Sequence, residues 1–159
     1  MRWRAFQEIE PEIALAGVSR FQQARLALLG TLQMDGWPRI SPVEPLFFSE
    51  DLVLGMIWQS KKALDLLRDP RCVLHSVVTD PDANEGEFKL RGRAVPVVEG
   101  QYVELIRAKW QLAQGAPLHV FWIDILSASL ITYDFNQGLL LVKRWHHERG
   151  SSGARRAYP

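Results

Sequence analysis

Residues 26–71 read LALLGTLQMDGWPRISPVEPLFFSEDLVLGMIWQSKKALDLLRDPR and contain three apolar runs separated by short polar turns. An Asp-Gly pair at 35–36 is a strong turn signal between the first two runs. Because tight turns join neighbouring antiparallel strands, we predict that the three runs form consecutive strands of one antiparallel sheet. These predicted strands cover residues 26–34, 39–48 and 52–58.

A helix is predicted at 61–68, directly after the third strand, with Ser60 as its N-cap residue. Lys61 and Lys62 occupy its first positions, where the helix dipole disfavours cations. Two lysines beside free backbone N–H groups suggest a bound anion, with two solvated surface lysines as the alternative interpretation. Three strands followed by an anion site predict a binding site for a phosphorylated planar ligand.

The second apolar run contains Pro42 and Pro45, neither of which can donate a hydrogen bond to a neighbouring strand. This strand is therefore predicted to have a free edge or a break. Backbone groups at such an edge are available to a ligand, and an edge strand with nothing bound is the alternative. Gly55, inside the third run, permits a bulge or the close approach of another group.

The rest of the chain continues the pattern of strands with a few helices. A helix is predicted at 11–23, interrupted by Gly17, and another at 101–114. Further strands are predicted at 72–79, 88–98, 118–133 and 139–145, with a loop at 80–86. The predicted fold is mainly β, an antiparallel, Greek-key-like closed or split β-barrel with two or three helices. Residues 1–149 are expected to form a single domain, and residues 150–159 a flexible tail.

The chain has 159 residues, of which 47% are hydrophobic and 23% charged, and its formal net charge is +1. These values fit one globular domain and give no global charge that favours nucleic acid or membrane as a partner. Cys72 is the only cysteine, so no intrachain disulfide is possible, and a cytoplasmic setting is expected. The sequence shows no secretory signal pattern and no apolar stretch of membrane-spanning length.

The ordered set Asp35-Gly36-x-Pro38, Arg39-Ile40-Ser41-Pro42-Val43, Ser60-Lys61-Lys62-Ala63 and Lys89-Leu90-Arg91-Gly92-Arg93-Ala94 resembles the pyridoxamine 5′-phosphate oxidase-like superfamily. Members of this superfamily are split β-barrels that bind FMN or deazaflavin coenzymes. The resemblance spans roughly residues 11–98, more than half of the chain. It implies a homodimer with two FMN sites at the subunit interface and an FMN-dependent oxidoreductase activity.

The resemblance also implies cofactor-binding residues by position, namely Arg39, Ile40, Ser41, Pro42, Gly55, Met56, Ser60, Lys61 and Lys62. The first four would lie along the flavin and its phosphate, the next two beside the ring, and the last three around the 5′-phosphate. Glu87 stands where the oxidases place a glutamine near the ring. No catalytic side chain is predicted. Residues 155–159 lack the leucine of the oxidases' C-terminal motif, so a vitamin B6 oxidase is not predicted.

Two alternatives share this fold. One is a deazaflavin-dependent reductase, in which Arg39 and the two lysines would meet a longer acidic coenzyme. The other is a module that binds flavin or haem without turnover, with His75 or His119 as the candidate axial ligand for haem. His146 and His147 are adjacent on a strand and therefore point to opposite faces, so no metal site is predicted there.

Overall fold

The structure is a computed structural model that describes residues 1–80 and 85–157. The helices in this part of the chain are α1 Trp3–Ile9, α2 Pro11–Ala24, α3 Lys61–Arg68 and α4 Gln101–Lys109. The strands are β1 Ala27–Leu32, β2 Pro38–Val43, β3 Pro45–Phe48, β4 Asp51–Ile57, β5 Arg71–Ser76, β6 Glu87–Val97, β7 Leu118–Asp134, β8 Leu139–His146 and β9 Gly150–Ala157. The described residues thus form four helices, against the two or three predicted, and α1 was not predicted.

The described strands form one antiparallel sheet in the order β2-β1-β5-β6-β7-β4-β3, with β8 paired to β7 and β9 paired to β8. β2 and β3 are the two ends of the main path, yet Glu44 alone separates them in the chain. The sheet must therefore curve back on itself, and β2 and β4 contact each other across the gap. The ladder does not close, which confirms the predicted split barrel and the break in the proline-containing strand.

Aromatic side chains from α1 and α2 fill the inside of the curved sheet. Trp3, Phe6 and Phe21 are buried there, and the Phe21 ring lies edge-on to Phe88 with their centroids 5.3 Å apart. Gly17 was expected to interrupt the helix, but α2 is continuous through it. The reason for a glycine is close packing, because a Cβ atom at residue 17 would lie 2.6 Å from Cζ of Phe88.

Helix α4 covers the opposite face of β4 and β7. Val103 and Ile106 pack there against Val53 and Val120 in a second apolar cluster. β4 is consequently buried on both faces along most of its length, which explains why its sequence is apolar without alternation.

The C-terminal segment differs from the prediction. Residues 150–157, expected to be flexible, form β9, which pairs with β8 from Leu139↔Ala157 to His146↔Gly150. Trp145 on β8 is buried in the main core against Phe6. Part of the loop predicted at 80–86, and residues 158–159 of the predicted tail, lie outside the described residues.

Candidate anion and cofactor site

The start of α3 is the part of the predicted site that the structure defines most clearly. Ser60 has an extended backbone and is the N-cap residue, as predicted, and its carbonyl accepts bonds from the N–H groups of Ala63 and Leu64 at 3.0 Å. Its side chain makes no capping bond. Ser60 Oγ is buried and has no hydrogen-bond partner among the described residues. A buried hydroxyl at a helix N-terminus, where backbone N–H groups also lack helical acceptors, fits a bound acceptor such as a phosphate oxygen.

The two lysines that follow Ser60 differ in their surroundings. Lys61 is exposed to solvent. Lys62 Nζ donates a hydrogen bond to the carbonyl of Pro42 on β2 at 3.1 Å. The structure therefore brings the start of α3 into contact with the proline-containing strand.

Arg39 of β2 is engaged by protein groups. Its Nε lies 2.7 Å from Oδ2 of Asp65 on α3, and a terminal nitrogen donates to Gln33 Oε1 at 3.0 Å. Thr31 Oγ1 of β1 donates to the same Asp65 oxygen at 2.9 Å. Arg39 therefore joins β2 to α3, and an anion at this edge would share its charge with Asp65.

The charge state of Asp65 follows from these contacts. Burial by itself would raise the pKa of the Asp65 carboxyl. Hydrogen bonds from Arg39 and Thr31, with the positive charges of Arg39 and Arg68, outweigh burial and hold the pKa below its usual value. Asp65 is therefore ionised at neutral pH. Asp65 was not predicted as a site residue, because a lone aspartate in a short helix gives no signal of the strands that surround it in the fold.

The other predicted cofactor residues differ from one another in their exposure to solvent. Ile40 is 73% exposed on β2, and Ser41 is half-buried beside it. Gly55 lies under α4, where a Cβ atom would come within 2.6 Å of Ile106 Cγ2, and the Met56 side chain is buried in the main core. Gly55 has no side chain to contact a ligand, and the side chain of Met56 points into the core. Contact between a flavin ring and Gly55 or Met56 stays a prediction, and it would have to be made by their backbone atoms.

The two candidate haem ligands occupy different strands. His75 on β5 has Nε2 3.5 Å from Glu87 Oε2. His119 on β7 stacks on Trp58 with ring centroids 4.4 Å apart, and its Nε2 is buried without a hydrogen-bond partner among the described residues. Burial lowers the pKa of His119, so its imidazole is neutral near pH 7. Within residues 1–80 and 85–157, no group of three or more metal-ligating side chains comes together.

Cys72 is buried beside β6, and burial raises the pKa of its thiol to about 12. Because the thiolate is the reactive form, we expect the native protein to leave Ellman's reagent almost unreacted at about pH 8. Protein unfolded in guanidinium should release one equivalent of the coloured product per chain. Rapid reaction of the native protein would contradict the buried position of Cys72.

Comparison with known proteins identifies the fold. No family model and no curated protein matches this sequence. Among solved structures, PhzG from Burkholderia lata, in complex with tetrahydrophenazine-1-carboxylic acid, is 12% identical and matches with a TM-score of 0.66 over 97% of this chain and 92% of that one. A pyridoxamine 5′-phosphate oxidase-related, FMN-binding protein from Nostoc punctiforme is 14% identical, with a TM-score of 0.61 over 92% and 95% of the two chains.

A third solved structure is a pyridoxinephosphate oxidase family protein from Clostridium acetobutylicum, with 12% identity and a TM-score of 0.61 over 93% of this chain and 95% of that one. These matches span almost the whole chain. The chain therefore has the split-barrel fold of pyridoxamine 5′-phosphate oxidase-like proteins, as the sequence resemblance predicted. None of the helices in the described residues is both long and apolar enough to cross a membrane.

Proposed function

We propose that this protein is a homodimeric oxidoreductase that binds FMN with its 5′-phosphate at the start of α3. The observation that carries this proposal is the buried hydroxyl of Ser60 next to Lys61 and Lys62, which has no hydrogen-bond partner in the part of the chain that the structure describes. A phosphate supplies the acceptor oxygens that this hydroxyl and the first backbone N–H groups of α3 lack, and the lysines offset its charge. The shared fold, found in an FMN-binding protein from Nostoc punctiforme, supports the same cofactor.

The surface around this anion site suits a flat, apolar ring. Ile57 and Trp58 directly precede the turn into α3 and are 73% and 48% exposed. Ile40 on the neighbouring part of β2 is as exposed as Ile57. A flavin mononucleotide has an apolar ring at one end and a phosphate at the other. The exposed apolar side chains would contact the ring, and the adjacent anion site would bind the phosphate.

A second copy of this chain is the proposed cover for the open face of the sheet near β2. Leu28 and Ile40 are exposed there, and Leu28 lies opposite Pro42 in the ladder between β1 and β2. Burying these side chains between two subunits would remove apolar surface from water. Light scattering on the purified protein should then give twice the chain mass of 18.2 kDa. A monomer at micromolar concentration would contradict the homodimer.

A bound flavin supplies hydride or electron transfer, and the protein's part is to hold and orient it. Ser60 and the two lysines would hold the phosphate, while the bond from Lys62 to Pro42 keeps β2 against α3. We assign no side chain as an acid or base.

The first test is the absorption spectrum of freshly purified protein, with the released ligand identified by its mass. We expect flavin bands and the mass of FMN. If the released ligand is a deazaflavin, that coenzyme replaces FMN in the proposal. If the spectrum shows a haem band, His119 and His75 become the candidate axial ligands. Colourless protein that also fails to bind added FMN would contradict the cofactor assignment.

The residue assignment is tested by the double variant Lys61→Ala, Lys62→Ala. We expect flavin affinity to fall at least about tenfold, because two charge-assisted contacts to the phosphate are lost. Equilibrium titration with FMN measures this change. The matched control is Lys109→Ala, Lys143→Ala, which removes two lysines of α4 and β8 that pair with Glu44 and Glu12. Equal affinities in the two double variants would refute the assignment of the phosphate to α3.

A further inference from the structure

A cleft of about 320 Å³ is lined by helix α4, the end of β6 and the beginning of β7. Most of its lining side chains are valine, leucine, proline or aromatic. Among the described residues that line it, Arg107 and His119 alone carry a titratable group. Neither Ser60 nor the two lysines at the start of α3 belong to the lining, so the cleft is separate from the proposed phosphate site.

The charge of Arg107 is already compensated by neighbouring groups. Its Nη1 donates a hydrogen bond to Glu104 Oε1 at 2.6 Å, and its Nε and Nη2 donate to the carbonyl of Ala116 at 3.4 Å and 3.3 Å. Burial lowers the pKa of His119, so the imidazole is neutral near pH 7. The described lining residues thus leave no charge unpaired, and an apolar cleft of this kind favours a neutral ligand over an anion.

His119 has a polar atom that lacks a partner. Nε2 of its imidazole is buried and makes no hydrogen bond within residues 1–80 and 85–157. The Trp58 ring lies against the imidazole, with 4.4 Å between the ring centroids and 14° between the ring planes, and Trp58 is itself 48% exposed. Because an unmade hydrogen bond of a buried group costs stability, a ligand that bonds to Nε2 would gain affinity from this atom.

The pairing of β4 with β7 determines where this imidazole lies. His119 is opposite Met56, whose side chain is buried in the main core, and directly opposed residues project from the same face of a sheet. Phe121, two residues further along β7, is also buried in the main core. His119 is thus the first core-facing residue of β7, and a movement of the Trp58 ring would connect its Nε2 to the cleft.

We propose that this cleft binds a small, uncharged and largely apolar molecule with one hydroxyl, carbonyl or N–H group, which bonds to Nε2 of His119 when the Trp58 ring moves aside. The volume of the cleft lies at the lower end of the range for small-molecule pockets. Such pockets combine apolar walls with a few polar groups that fix the orientation of the ligand. The start of α3 suits an anion instead, so the two proposed sites bind ligands of different chemical classes.

Isothermal titration of the full-length protein with 4-methylphenol and with toluene tests this proposal. The two probes differ by one hydroxyl group, and 4-methylphenol, which corresponds to the side chain of tyrosine, is neutral near pH 7. We expect saturable binding of 4-methylphenol, and we expect its affinity relative to toluene to fall at least about threefold in His119→Phe, which keeps a flat ring beside Trp58. The matched control, His147→Phe, makes the same replacement at an exposed histidine and should leave this ratio unchanged.

Two further measurements locate the bound probe. In protein with nitrogen-15-labelled histidine, the imidazole signal of His119 should shift more than those of the other three histidines when 4-methylphenol binds. Lys61→Ala, Lys62→Ala should bind 4-methylphenol as the parent protein does, and loss of binding there would assign the probe to the start of α3 and overturn the separate site. Absence of saturable binding, an unchanged affinity ratio in folded His119→Phe, or a larger shift at another histidine would also overturn it.

Discussion

Asp65→Ala is expected to lower the free energy of unfolding by about 3 kcal/mol, because it removes the buried acceptor that joins β1, β2 and α3. Thr31 Oγ1 would lose its hydrogen-bond partner in the protein interior. The Arg39 guanidinium, whose side chain is only 28% exposed, would keep its charge without the carboxylate 2.7 Å away. Urea-induced unfolding near neutral pH measures the loss. Asp69→Ala is the matched control, since Asp69 pairs with the exposed Arg71 and solvent screens that pair, so a much smaller change is expected.

The contribution of Asp65 to the free energy of unfolding should also depend on pH. Its pKa is lower in the folded protein than in the unfolded chain, so the folded state binds the proton less readily. The stabilisation is present above the unfolded value, about pH 4, and is lost as the pH falls through the lower folded pKa. The difference in unfolding free energy between the parent protein and Asp65→Ala should therefore narrow in acid. A difference that is constant from neutral to strongly acidic pH would contradict this account.

Gly92→Ala is expected to destabilise the protein by about 3 kcal/mol, through a steric clash in the middle of the sheet. The register between β6 and β7 shifts between Arg91 and Gly92. A Cβ atom at residue 92 would lie 2.6 Å from the carbonyl oxygen of Asp124 and 2.7 Å from Ile123 Cγ2. Both neighbours belong to β7, and the backbone oxygen cannot move without disturbing the longest strand of the sheet.

Gly153→Ala provides the matched control for Gly92→Ala. Residue 153 also lies in a strand, but the nearest atom to an added Cβ there is the carbonyl oxygen of Val142 at an ordinary 3.7 Å. Both substitutions restrict the unfolded chain to the same degree, so the difference between them isolates the folded-state clash. Thermal and urea unfolding of the two variants should separate them clearly. Similar stabilities would show that β7 can shift to accommodate the methyl group.

Local sequence signals predicted most of the sheet and the start of α3. These signals are the Asp-Gly turn, the two prolines and the serine followed by two lysines. Each of them determines the conformation or hydrogen bonding of the adjacent backbone, so a short stretch of sequence is enough to predict its effect. The structure places the prolines at the two edge strands and Lys62 against Pro42. The features that escaped prediction depend on distant partners. Gly17 is explained only by Phe88, and the group whose close approach was predicted at Gly55 proves to be Ile106, which the local sequence could not identify.

Strand β9 was missed for a related reason. Its sequence, GSSGARRA, contains no apolar alternation and reads as a flexible segment. The strand forms because β8 offers a free edge, and pairing there uses backbone groups that every non-proline residue carries.

The single residue that separates β2 from β3 also has a kinetic consequence. β2 belongs to one end of the sheet and β3 to the other, so Glu44 ties together two edges that must be built separately. β1 must find β5, with Ala27 opposite Ser76, and β4 must find β7, with Val53 opposite Trp122. Closing such long loops before contacts form gives folding times on the order of milliseconds to seconds. Until both pairings are complete, the unpaired edges of β1 and β4 stay exposed to other chains, so refolding at high protein concentration will favour aggregation through these two edges.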